Sequence, residues 1–117
     1  MLAHTKTLIE TDPDAGRTAT IDIGFDDNGN LVVIYEIKDY DYRDESELKY
    51  IIVEKEDAFL LSRKLKTGLT QLPDYFDKEL GYLNPCEASL SEARTLFRNI
   101  QNFLKYNRTW FRVIEDF

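Results

Sequence analysis

One cysteine, one histidine, one methionine and one tryptophan stand among the 117 residues of this chain. The scarcity excludes more than it suggests. A single Cys86 rules out an internal disulfide and offers no cysteine spacing for a metal, and nothing near it marks a reactive thiolate. The sole histidine, His4, lies close to the N-terminus without neighbours to fix its geometry, so it is expected to be exposed and inert. The longest unbroken apolar run is the five residues Leu31 to Tyr35, against the roughly 20 that a membrane-spanning helix needs. The opening residues Met1 to Lys6 hold no basic segment followed by an apolar one, so no signal peptide is expected, and a reducing, cytoplasmic setting fits. A glycine-rich phosphate loop and a Gly-x-Ser-x-Gly nucleophile turn are both missing.

Charge of one sign is in excess. The chain carries 22 acids against 15 bases, a net charge of -7. Residues 1–57 sum to -9 and residues 58–117 to +2. A nucleic-acid partner for the first half is disfavoured, because like charge repels phosphate. A basic protein suits it better. The apolar fraction of 43% and 15 aromatic residues give a globular composition able to bury a core in one domain, residues 1–117, without staples.

Residues 3–10 alternate weakly and fit an edge strand. Thr11 to Arg17 is turn chemistry. Thr18 to Phe25 alternates with period two, sending Ala19, Ile21, Ile23 and Phe25 one way. Asn28-Gly29 then signals a hairpin to a returning strand, Leu31 to Asp39. That strand is apolar on both faces, which places it centrally. A further strand is expected over Leu48 to Glu54.

From Glu54 the period changes to that of a helix. Acids occupy its first turn, Arg63, Lys64 and Lys66 its last, and Gly68 is the expected left-handed cap. Pro73 opens a shorter helix that Gly81 closes, with Tyr82 to Ala88 as a loop. Ser89 and Glu92 form a capping box for a helix over Leu90 to Tyr106 with the apolar stripe Leu90, Ala93, Leu96, Phe97, Ile100, Phe103 and Leu104. Residues 109–114 fit either a short strand or a helical extension, and the pattern does not separate the two. The expected fold class is α+β: an antiparallel three- or four-stranded meander followed by two or three helices packed on one face. Its core would join Ile21, Ile23, Val33, Ile52, Leu61, Leu65, Leu96, Ile100 and Phe103.

The candidate site is the segment between the third and fourth strand-like runs. From Lys38 to Glu47 it holds five carboxylates, two bases and two tyrosines. The candidate partner-binding residues are Asp39, Tyr40, Asp41, Tyr42, Asp44, Glu45 and Glu47, with Asp22 and Glu36 extending the patch along a sheet face. Tyrosine supplies contact area at low entropic cost and is enriched at interfaces. The competing view of the segment is a solvated loop whose charge discourages edge pairing. Asp26, Asn28 and Asn30 have the odd spacing of a calcium loop, but Leu31 and Ile37 stand where its glycine and bidentate glutamate belong. The abundant carboxylates look alike, whereas general acid-base chemistry needs two in unlike environments. No catalytic, cofactor or metal residue is therefore assigned, and no enzyme activity is expected.

The expectation is a non-catalytic acidic binding module, of the inhibitor or immunity type, that docks a basic protein. One alternative is a self-associating accessory protein in which the acidic half of one copy meets the basic set Arg94, Arg98, Lys105, Arg108 and Arg112 of another. Another is a single-stranded nucleic-acid binder, which the acidic sheet half opposes.

Overall fold

The computed structural model describes residues 3–10, 17–39, 47–80 and 90–116, without the side chains of Arg17, Asp39, Leu90, Ser91 and Asp116. Among the described residues, five strands, β1 (Ala3–Glu10), β2 (Arg17–Phe25), β3 (Leu31–Asp39), β4 (Glu47–Val53) and β5 (Arg112–Asp116), form one antiparallel sheet in the order β1-β2-β3-β4-β5. Among the described residues, three helices, α1 (Lys55–Lys64), α2 (Leu72–Leu80) and α3 (Leu90–Tyr106), stand between β4 and β5, with a 3₁₀ turn over Leu69–Gln71. The α+β class holds, and the sheet has one strand more than the three or four expected. Residues 112–116 supply it by returning to pair with β4, Val113 opposite Ile51 and Ile114 opposite Tyr50. β3 is the central strand, as its two apolar faces require.

The hairpin between β2 and β3 uses a three-residue loop. Gly29 N–H donates to the Asp26 carbonyl at 3.1 Å, and Asp26 N–H donates to the Asn30 carbonyl at 3.0 Å. Gly29 takes φ +83°, the left-handed conformation that a type I turn with a closing bulge needs and glycine adopts without steric cost. The Asp26 carboxylate accepts the backbone N–H groups of Asn28 and Asn30, each at 2.9 Å, so it closes the turn. Asn30 Oδ1 in turn accepts the Lys55 N–H at 3.1 Å. This satisfies a first-turn donor of α1 that its own N-cap residue, Glu54, leaves without a side-chain partner.

The core gathers the odd-numbered residues of β2 and β3, among them Ile21, Ile23, Val33 and Tyr35, with Ile51 and Val53 of β4. The helices add Leu61, Leu72, Phe76, Leu96, Ile100 and Leu104 to the same cluster. Ile52, expected inside, is only half-buried, because strand parity turns Ile51 and Val53 inward and Ile52 to the opposite face. Leu65 and Phe103 pack against the cluster rather than within it. On β1, Leu8 and Ile9 are both fully buried although adjacent. A register shift between Thr7 and Ile9 inserts Leu8 as an extra residue and directs both side chains inward.

The expected cap at Gly68 is not formed there. Gly68 is extended (φ -70°), and Lys66 adopts the left-handed conformation at φ +56°. Lys66 N–H donates to the Arg63 carbonyl at 3.2 Å and Thr67 N–H to the Ser62 carbonyl at 3.0 Å, the paired bonds of a Schellman motif. The end of α3 repeats it with Arg108 at φ +56°, where Thr109 N–H donates to the Leu104 carbonyl at 2.9 Å. Both left-handed residues are long basic side chains, favourable for the helix dipole but strained at the backbone. Lys66→Gly is expected to raise stability by about 0.5–1 kcal/mol, read as a higher midpoint in urea denaturation.

Candidate functional site

The acidic connector leaves the sheet from the end of β3 and re-enters at the start of β4. Strand register fixes both anchors: Asp39 stands opposite Arg17, and Glu47 opposite Ile37. Tyr40, Asp41, Tyr42, Asp44 and Glu45 lie outside the described residues. So do the loop at 82–88 and Ser89 of the capping box.

Glu47 is half-buried, and its partner Ile37 belongs to the core. Directly opposite residues share a face, so Glu47 projects to the side on which the core lies. The neighbouring group there is the hydroxyl of Tyr35, which is 2% exposed and whose ring packs on Phe97 at 4.9 Å. Burial pushes the Tyr35 pKa above its ordinary 10.0, and the Glu47 charge pushes the same way; a hydrogen bond with the Arg94 side chain and the Arg94 charge oppose it without cancelling it. Arg94 is exposed overall, yet it reaches this tyrosine. The contact with Tyr35 sets it apart within the basic set, since Arg98, Lys105, Arg108 and Arg112 are equally exposed.

The sign of the Tyr35 shift fixes a pH dependence. The folded state holds the phenolic proton more tightly than the unfolded chain, so the contribution is intact below pH 10.0 and is lost as pH rises from there towards the folded-state value. Urea denaturation repeated on either side of that point should show stability falling on the alkaline side. In Tyr35→Phe that fall should be smaller.

Asp22 and Glu36 occupy the other face. Asp22 is opposite Ile34, which is opposite Tyr50, which is opposite Ile114; the next row runs Thr20, Glu36, Leu48. The Thr7 hydroxyl donates to Asp22 at 2.7 Å, and Lys38 Nζ lies 3.2 Å from Glu36. These contacts steady the two carboxylates without burying them, since both residues remain half-exposed. Among them stand Ile34, Leu48, Tyr50 and Ile52, all half-buried and none a member of the core cluster. The face is therefore a mixed surface: aliphatic and tyrosine area in the middle, carboxylates and Lys38 on the β1–β3 side, Arg112 at one corner.

Sequence reasoning placed the acids Asp22 and Glu36 here but not the apolar partners beside them. The signal was present in β3 and β4, whose residues are apolar at both parities. Only one parity can enter a core that the helices share.

A second apolar patch lies on α1. Phe59 and Leu60 are about half exposed and, with Lys55, Glu56 and Leu69, line a shallow depression of about 420 Å³. The Arg63 guanidinium sits 5.8 Å from the Phe59 ring centre. Among the described residues no cluster of three or more His, Cys, Asp or Glu side chains could hold a metal ion, and no helix is long and apolar enough to cross a membrane. No family model, curated protein or solved structure matches this chain.

Proposed function

We propose that this chain is a non-catalytic binding module that docks a basic protein, in the manner of an inhibitor or immunity protein. The connector from Asp39 to Glu45 and the adjoining sheet face with Asp22 and Glu36 form the contact surface, whereas Glu47 turns to the core side. The helices share their core with the odd-numbered strand residues, which supports a layout in which they cover one side of the sheet and leave the other for the partner. The observation that carries the reading is the placement of Asp22 and Glu36 beside Ile34, Leu48 and Tyr50 on the face outside the core. Apolar area there would supply affinity, and the carboxylates selectivity and fast encounter. The surplus of -9 over residues 1–57 cannot be neutralised within that half, so a positive partner gains from approaching it.

Replacing Asp39, Asp41, Asp44 and Glu45 together with serine tests this. On this reading the melting temperature should stay nearly constant, because surface charges contribute little to stability. Immobilised wild-type chain should capture a basic protein from a native lysate at low salt, and the variant should capture far less. Equal capture by both would show that these carboxylates do not hold the partner, and a large fall in melting temperature that the segment serves the fold instead.

A further inference from the structure

The two edges of the sheet are not alike. β1 carries two register shifts, at Ala3/Lys6 and Thr7/Ile9, and a left-handed residue, His4, at φ +53°. Its Lys6 is exposed and reaches the Asp74 carboxylate of α2 at 3.1 Å. Bulges, a lysine and a covering helix are the devices that keep an edge strand from pairing with another chain. Among the described residues, β5 shows no bulge and no lysine, and its main packing is with β4. Its five residues, Arg112-Val113-Ile114-Glu115-Asp116, run in unbroken register with β4, contain neither proline nor glycine, and leave Val113 and Ile114 each 41% exposed. Among the described strands, none pairs with its outer side.

We infer that β5 is the interface to a second copy of this chain, the two β5 edges pairing antiparallel about a twofold axis at Ile114. The sequence of the strand selects this register. An antiparallel pair centred on Ile114 sets Arg112 of each copy opposite Asp116 of the other, on one face and twice by symmetry. Ile114 meets Ile114 between these two oppositely charged register positions. The row Asp22-Ile34-Tyr50-Ile114 then continues across the axis into its own repeat, joining two sheets of five strands into one of ten. Two other alignments are worse. Centring on Glu115 opposes like charges, and a parallel alignment stacks Arg112 on Arg112 and Asp116 on Asp116. Glu115 on the other face is already met by Lys49 of its own chain at 3.7 Å. The edge is thus self-complementary in charge and, among the described residues, unpaired by any further strand, which favours a second copy over an unrelated extended peptide.

Sedimentation of the full chain and three variants tests the pairing. The wild type should sediment as a dimer with a dissociation constant on the order of micromolar. Arg112→Asp, which places two carboxylates opposite each other at both ends, should weaken it about tenfold or more. Adding Asp116→Arg to that variant should restore wild-type association, an outcome that a merely damaged fold would not give. Ile114→Lys should leave a monomer. A wild type that remains monomeric throughout the range, an Arg112→Asp variant that dimerises unchanged, or a double variant no better than the single one would each overturn the assignment.

Discussion

Phe76→Ala is expected to cost about 3–5 kcal/mol, the largest effect of any single change proposed for this chain. Phe76 is fully buried, and its ring meets Phe103 of α3 edge-on with centroids 5.3 Å apart. α2 has only nine residues, too short to persist by its own hydrogen bonds. It is held by Leu72 and Phe76, four residues apart and both inside the core, and by packing against β1. Removing the ring takes away the transfer energy of a large side chain and leaves a cavity between α2 and α3 that neither backbone can collapse fully. Because α2 also supports the edge strand, loss of β1 should accompany it. Urea denaturation reads the free energy, and amide exchange in β1 should rise more than in β3. A cost under about 1 kcal/mol would mean that the α2–α3 contact is loose and that the ring is not part of the core.

Ile100→Ala is expected to cost about 2–5 kcal/mol. Ile100 is fully buried in the middle of α3, one turn from Leu96 and from Leu104, and α3 packs on β2. Alanine is the best helix former, so helix propensity changes in the stabilising direction and the loss can come only from packing. Unlike α2, α3 is long enough at 17 residues to survive the change as a helix. The expected signature is therefore a lower denaturation midpoint with helical circular dichroism retained below it.

What the sequence disclosed depended on whether a signal was local. The β2–β3 hairpin was legible because Asn28-Gly29 lies between two alternating runs, and Gly29 indeed carries the positive φ. The bounds of α3 were legible because its apolar stripe keeps one period over four turns. The end of α1 was not. Glycine at position 68 is the better left-handed residue, but the Schellman bonds close at Lys66, where the last buried turn around Leu61 and Ser62 places them. β5 could not be settled from residues 109–114, because its strand state comes from pairing with β4, which lies about 60 residues earlier. Ile52 was assigned to the wrong face because two adjacent isoleucines satisfy either parity until β3 fixes the register. Of the candidate site, the acids Asp22 and Glu36 were legible by composition and strand parity. The apolar neighbours Leu48 and Tyr50 emerge only when the core takes the opposite face, and Glu47 turns towards Tyr35 and Arg94 rather than joining Asp22 and Glu36.

Acidic docking to a basic protein is most directly examined through the rate at which the captured partner associates, followed at low and at high ionic strength for the wild type and for the variant with serine at 39, 41, 44 and 45. Charge steering demands that the wild-type rate fall steeply as salt screens the carboxylates. At low salt the variant should associate more slowly than the wild type, and at high salt the two should converge. Association that ignores salt and proceeds equally fast with and without those carboxylates would contradict it.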